Sequence, residues 1–119
     1  MKINKLIIVT LILINCCVSA NDRDDKKWDN EINSWEVSEE VAVARINEKH
    51  GKYKHTTSNP SKRTYSWIMK RPYLKNTNRC LELTLNANLR TGAIFSGIVY
   101  NAKCEKIFKK YNITTFNKN

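Results

Sequence analysis

The sequence predicts an α+β fold in which one N-terminal helix packs on a three- to four-stranded antiparallel sheet, with one disulfide. Three observations predict it. Residues 34–50 have the composition and end signals of a helix, residues 80–89 alternate between apolar and polar side chains, and Cys80 and Cys104 bracket two strand-like segments. A helix with an apolar stripe and a sheet with one apolar face bury these surfaces best against each other.

The first 20 residues have the pattern of a secretory signal peptide. Lys2 and Lys5 precede an apolar run over 6–14, and small residues end at Ala20, just before a strongly polar stretch. This order of basic, apolar and small residues is typical of a cleavable signal. A membrane anchor is the alternative, but a spanning helix needs about 20 apolar residues. We therefore expect cleavage after Ala20, secretion, and no transmembrane segment in the mature chain.

Cleavage after Ala20 would also decide the pairing of the cysteines. Cys16 and Cys17 lie inside the signal peptide, so the mature chain keeps only Cys80 and Cys104. Exported proteins form disulfides readily, and two cysteines allow only one intramolecular pairing. The sequence therefore predicts a Cys80–Cys104 disulfide, with two free thiols or an intermolecular bond as the alternative.

The predicted helix occupies the start of the folded region. Ser38 is a suitable N-cap, carboxylates follow it in the first turn, and Gly51 can end the helix. The start of this helix is left open, since the apolar stripe continues back to Trp28. The predicted organisation is an acidic N-terminal segment over 21–33, a domain over 34–105 and a basic C-terminal tail over 106–119, which would add edge contacts or stay mobile.

Strand signals follow the helix. Residues 55–62 have the composition of a loop, and residues 63–70 predict a strand with Tyr65, Trp67 and Met69 on one face.

The clearest pattern is a hairpin formed by the residues around 80–104. Its first strand places leucines on one face, a turn follows at 90–92, and its second strand is rich in Ile, Phe and Val. Folding the hairpin about Gly92 would set Cys80 opposite Cys104, provided that no bulge shifts the register.

Charge is distributed unevenly along the chain. Residues 21–50 carry a net charge of −4, residues 51–119 carry +12, and the mature chain carries +8. This bias favours anionic partners such as glycosaminoglycans, acidic lipid or an acidic extracellular protein. Solvation of strand faces by lysine and arginine is the alternative interpretation. We do not expect nucleic acid, because an exported protein rarely meets it. The residues predicted to bind an anionic partner are Arg63, Lys70, Arg71, Lys75, Arg79, Lys106, Lys109 and Lys110.

One glycosylation signal is present. Asn112 and Thr114 form an Asn-x-Thr sequon near the C-terminus. If the source is a eukaryote, glycosylation at Asn112 would mark this region as exposed.

The sequence contains no recognisable catalytic set. The two histidines, His50 and His55, lie five residues apart without a spacing typical of acid–base catalysis or of metal binding. There is no glycine-rich phosphate loop and no nucleophile motif. We therefore expect a non-enzymatic protein without a cofactor.

The layout resembles the cystatin-like superfamily, which includes cystatins and cathelicidin propieces. The stretch 38–49 is similar to the helix of cathelicidin propieces, and Cys80 and Cys104 resemble the last disulfide of that superfamily. The resemblance covers residues 34–104. It implies a helix followed by an antiparallel sheet and, in the inhibitory members, inhibition of papain-like proteases.

The inhibitory motifs of that superfamily are absent. No glycine precedes Gly51, and the candidate loops 56–61 and 88–92 contain neither a Gln-x-Val-x-Gly motif nor a Pro-Trp pair. The main hypothesis is therefore a secreted binding or effector protein that acts through its basic surface. A protease inhibitor that uses another loop is the first alternative. A small-ligand carrier is the second, because residues 65–73 followed by Cys80 look like the first strands of tick salivary lipocalins.

Overall fold

The computed structural model of the chain describes residues 24–119 and confirms the α+β class. The predicted signal peptide, its cleavage point and the cysteines at 16 and 17 lie outside the described residues. Helix α1 covers 24–34 and α2 covers Glu39–His50. Four strands follow, β1 (His55–Ser58), β2 (Lys62–Met69), β3 (Arg79–Asn88) and β4 (Ile94–Lys103), with a short 3₁₀ turn at Pro72–Leu74. Helix α3 (Cys104–Tyr111) comes last.

The helical region consists of two helices where the sequence predicted one. Residues 35–38 interrupt it, and Ser38 is the N-cap of α2, accepting a hydrogen bond at its Oγ from the backbone N–H of Val41 at 3.3 Å. Gly51 ends α2 with φ of 83°, a left-handed value that costs glycine little. The acidic segment predicted over 21–33 is helical from residue 24 onward, and its Ile32 is buried in the core.

The sheet is an antiparallel meander in the order β1-β2-β3-β4. Its inner face carries the predicted stripes of Tyr65, Trp67 and Met69 on β2 and of three leucines on β3, and α1 and α2 cover it. The buried side chains of this main core are Ile32, Ala42, Val43, Ile46, Tyr65, Trp67, Met69, Leu81, Leu83 and Leu85. The predicted packing of a helical layer on the leucine face is confirmed.

Part of the predicted loop at 55–62 forms a strand. Residues His55–Ser58 pair with β2, for example Thr56 with Tyr65. The Asn59 side chain closes the turn, because its Oδ1 accepts hydrogen bonds from the backbone N–H groups of Ser61 and Lys62. An exposed edge strand needs no apolar residues. The polar composition of residues 55–58 therefore gave no indication of a strand.

The predicted register of the β3–β4 hairpin was wrong. Ala87 pairs with Ile94, and Cys80 pairs with Ala102 beyond a bulge between Cys80 and Glu82. The turn begins before Gly92. The side chain of Asn88 fixes it there, because its Oδ1 accepts hydrogen bonds from the backbone N–H groups of Arg90 and Thr91. The predicted disulfide still forms, with Cα atoms 5.2 Å apart, since Cys104 is the first residue of α3.

Residues 106–119, predicted to form a basic tail, pack on the outer face of the sheet. Ile107 of α3 contacts Ile68 and Cys80 in a second, smaller core. Asn117 is buried as well and forms hydrogen bonds to the backbone N–H and C=O of Ile68, at 2.9 Å and 2.7 Å. The amphipathic spacing of α3 explains this packing, because it places Ile107 on one face with Cys104, Phe108 and Tyr111.

Candidate anion-binding surface

The eight basic residues that the sequence singled out do not form one patch. Arg63 of β2 pairs with Glu39 of α2 at 2.9 Å. The Tyr65 hydroxyl donates to the same carboxylate, and burial together with this bond raises the pKa of Tyr65 to about 12. The pKa of Arg63 is also raised, through its hydrogen bonds to Glu39 and Tyr65. Arg63 therefore links α2 to the sheet, and Glu39 balances its charge.

Arg71 is also engaged inside the molecule. Its guanidinium forms an ion pair with Asp25 of α1, and the side chains are 13% and 1% exposed. The Tyr73 hydroxyl donates to the second carboxylate oxygen of Asp25 at 2.5 Å. Burial and this bond raise the pKa of Tyr73. Because its charge is neutralised and mostly buried, Arg71 does not belong to a binding surface.

Lys70 and Arg79 lie near the disulfide but bond to backbone carbonyls. The Lys70 ammonium donates to the carbonyl oxygens of Thr77 and Arg79 at 2.6 Å and 2.7 Å. The Arg79 guanidinium donates to the carbonyl of Asn101 at 2.8 Å. These bonds brace the turn before β3 and the end of β4, and both cations add positive charge to this end of the sheet.

Two of the remaining predicted lysines, Lys106 and Lys109, are exposed on α3 and lie beside Lys103, which was not among the predicted residues. Lys103, Lys106 and Lys109 line a shallow pocket of about 380 Å³ together with Asn78 and Glu105. We call the three lysines and Asn78 the α3 basic surface. Their spacing of three residues places the lysines on one side of the helix. Lys103 was missed because it lies at the predicted end of a strand, where nothing indicated a following helix.

Lys75 and Lys110 are exposed but lie outside this pocket. Lys75 follows the 3₁₀ turn, and the Lys110 ammonium lies 5.6 Å from the centre of the Tyr111 ring. The Tyr111 hydroxyl in turn donates to Glu82 at 2.6 Å, and burial is the main reason that its pKa is raised to about 12. This bond fixes the last turn of α3 on the sheet, and with it the orientation of the lysines.

One disulfide and one backbone hydrogen bond determine where the α3 basic surface lies. The disulfide anchors the first residue of α3 to β3, and the backbone N–H of Cys104 donates to the carbonyl of Asn78 at 2.9 Å. Lys103 is the N-cap residue, and Lys106 and Lys109 lie one and two turns further on. The lysines are therefore held on a short, cross-linked helix, so that binding would order few additional backbone bonds.

Asn112 is accessible for modification. It ends α3 in the left-handed conformation, with φ of 53°, and both Asn112 and Thr114 are exposed. The sequon therefore lies on the surface, one turn from Lys109.

A larger hollow of about 770 Å³ lies beside α1 but has mixed charge. Asp24 and Glu31 line it together with Lys27, Lys49 and Arg71. The acidic side chains offset the basic ones, so this hollow does not select for anions.

The geometry offers no catalytic arrangement of the two histidines. His50 is buried, with its Nδ1 2.9 Å from the carbonyl of Lys118, and His55 stacks on the Tyr111 ring on the other side of the sheet. Within residues 24–119, no group of three or more acidic, histidine or cysteine side chains is arranged to hold a metal ion. In the same part of the chain, no helix combines the length and apolar character that crossing a bilayer requires.

The chain was compared with known proteins in three ways. No protein-family model matches it, no curated protein is significantly similar, and no solved structure is significantly similar.

Proposed function

We propose that the protein is a secreted, non-enzymatic binding protein on a cystatin-like scaffold, and that its α3 basic surface binds a sulfated glycosaminoglycan. The observation that carries this proposal is the shallow pocket in which Lys103, Lys106 and Lys109 meet with Glu105 as the single acidic neighbour. Three ammonium groups along one line match the repeated anionic groups of an extended polyanion.

The surroundings of the pocket favour a polyanion in solution over a membrane. In the part of the chain that the structure describes, none of the exposed large apolar side chains lines the pocket. Membrane-binding surfaces combine basic residues with apolar side chains that enter the lipid. Secretion is supported by the signal-like N-terminus and by the disulfide, which is typical of oxidising compartments.

The test is retention on immobilised heparin of the chain with Lys103→Glu, Lys106→Glu and Lys109→Glu. Each reversal replaces attraction with repulsion at one site, so we expect affinity to fall by about tenfold or more. Lys26→Glu, Lys62→Glu and Arg90→Glu form the matched control, because these exposed residues lie elsewhere and change the net charge equally.

Two outcomes would overturn the proposal. Equal losses in both triple variants would show that only net charge matters. Unchanged retention of the α3 variant would show that the surface does not bind. Vesicles containing acidic lipid serve as the second arm, and preferential binding to them would favour a lipid headgroup as the partner.

A second candidate function, protease inhibition, is favoured by one contact. The backbone N–H of Leu89 donates to the carbonyl of Ser61 at 2.9 Å, so the β1–β2 and β3–β4 turns lie side by side. Together these two turns form one end of the sheet, where the side chain of Leu89 is exposed. Titration against papain-like and trypsin-like proteases tests this function. Stoichiometric inhibition would support it, and full protease activity with the protein in excess would exclude it for those enzymes.

A further inference from the structure

Strand β4 lies at an edge of the sheet, and α1 covers part of this edge. The sheet order leaves β4 with β3 as its only neighbouring strand in the described part of the chain. In an antiparallel pair, the backbone groups of successive residues point alternately toward the partner strand and away from it. Ser96 bonds outward to α1, so the backbone groups of Ile94 and Ile98, two positions away on either side, point outward as well.

The contact between Ser96 and α1 imitates a neighbouring strand. The backbone N–H of Ser96 donates to Oδ1 of Asn33 at 2.7 Å, and its C=O accepts from Nδ2 of Asn33 at 3.4 Å. A side-chain amide offers one acceptor and one donor, as a peptide group does. The Ser96 hydroxyl also donates to the Asp29 carboxylate. Two side chains of α1 thus fill the position that a fifth strand would take.

Apart from the bulge opposite Cys80 and Glu82, the edge has little of the usual protection within its own sequence. No charged residue and no proline occurs from Ala93 to Ala102. Natural edge strands are commonly short, charged or interrupted by proline, because their unpaired backbone groups otherwise recruit other chains. The opposite edge, β1, has only four residues. The ten-residue β4 therefore depends on another element for its protection.

We propose that α1 is an intramolecular guard of the β4 edge, and that β4 pairs antiparallel with β4 of a second copy when the contacts of Asp29 and Asn33 with Ser96 are lost. A second copy is the favoured partner, because neither β4 strand would bring a charged residue into the interface between the two copies. It would also cover Phe95 and Val99, which are 52% and 45% exposed on the outer face. The net charge of the chain opposes association at long range, so salt would strengthen the dimer.

The test compares the oligomeric state of the Asp29→Ala, Asn33→Ala variant with that of the unaltered chain, by light scattering after gel filtration. We expect a monomer for the unaltered chain. We expect a dimer for the variant, with a dissociation constant lower by about tenfold or more and lower still at high salt. Asn30→Ala with Glu31→Ala is the matched control, because it removes an amide and a carboxylate from exposed positions of the same helix.

A third substitution tests whether β4 is the seam. Val99→Lys added to the Asp29→Ala, Asn33→Ala variant places like charges across the paired strands and should restore the monomer. Within one copy it is tolerated, since position 99 pairs with Glu82. A folded double variant that stays monomeric at its highest soluble concentration would overturn the proposal, as would a dimer that is indifferent to Val99→Lys.

A milder variant covers the case in which the double variant does not fold. Asn33→Ala alone removes both hydrogen bonds to the Ser96 backbone and leaves the contact of Asp29 with the Ser96 hydroxyl in place. We expect faster hydrogen exchange at the Ser96 and Ile98 amides, and a measurable dimer fraction. Unchanged exchange at both amides together with a monomer would contradict the proposal.

Discussion

Asp25 shows how one residue can join a helix to a distant turn. Its carboxylate is buried, pairs with Arg71 after β2, and accepts a hydrogen bond from Tyr73 in the 3₁₀ turn. Loss of one partner from a buried ion pair costs about 3–5 kcal/mol, because the other charge stays desolvated. Asp25 therefore contributes to the position of α1 far more than an exposed carboxylate of the same helix would.

His50 makes the stability of the fold depend on pH. Burial lowers the pKa of His50 below its ordinary value of 6.5, and the neighbouring Lys49 and Arg71 lower it further. The carbonyl of Lys118 and the carboxylate of Asp25 act in the opposite direction, and the Trp28 ring packs against the imidazole. The folded chain thus favours the neutral ring.

The direction of the pH effect follows from proton binding. Below pH 6.5 the unfolded chain binds a proton at His50 more readily than the folded chain does, so stability falls as pH falls through this range. We expect urea unfolding to require less denaturant at acidic than at neutral pH. His50→Asn, which keeps a donor for the Lys118 carbonyl and does not titrate, should reduce this difference.

His55→Asn is the control, because it removes the other histidine, which stacks on Tyr111. An equal pH dependence in the unaltered chain and in His50→Asn would refute this assignment and point to the carboxylates.

At the scale of elements, Ser38 separates α1 from α2. Its hydroxyl accepts a hydrogen bond from the backbone N–H of Val41. Substitution of an N-cap serine by alanine costs about 1 kcal/mol, since one backbone donor loses its partner. We expect Ser38→Ala to lower the free energy of unfolding by this amount in urea titrations. Ser34→Ala is the comparison, because that hydroxyl donates to the carbonyl of Glu31 in the last turn of α1 and plays no part in the N-cap of α2. Equal effects of the two substitutions would contradict the N-cap role.

The helices and strands differ in how well their sequences predict them. The end of α2 and the strands β2 and β3 follow from local signals: capping residues, a glycine stop and a period of two. Strand β1 has no apolar alternation because both its faces are half-buried or exposed. Helix α3 was missed because it begins at the cysteine that also ends the strand pattern, and its buried residue, Ile107, looks isolated in the sequence.

At the scale of the whole molecule, the disulfide joins β3 to α3. The two cysteines are 24 residues apart, so on the chain-entropy model the cross-link stabilises the fold by about 3 kcal/mol. We expect Cys80→Ala with Cys104→Ala to lose about this much in urea unfolding. The same variant should bind heparin less tightly, because α3 would no longer be anchored beside Asn78. A loss well under 1 kcal/mol would show that the smaller core fixes α3 without the cross-link.

The fold also determines which of the unevenly distributed charges remain exposed. Two of the acidic residues in the N-terminal part, Asp25 and Glu39, are partners of Arg71 and Arg63. The first pair largely buries Arg71, and the second balances the charge of Arg63, whose side chain stays 41% exposed. What remains exposed is concentrated on α3, which the linear distribution of charge did not indicate.

The sequence by itself determined the fold class, the leucine face, the helix cap at Ser38 and the cysteine pair, because each depends on neighbours within a few residues or on elimination. The tertiary structure alone decided the register of β3 and β4, the packing of residues 106–119 and the partners of the arginines. The register depends on the turn that the Asn88 side chain stabilises and on a bulge. Each contributes a small, local free energy that the periodicity of the sequence does not reveal. Which cations remain available depends on which carboxylates the fold brings near them, and that is a property of contacts between residues far apart in the chain.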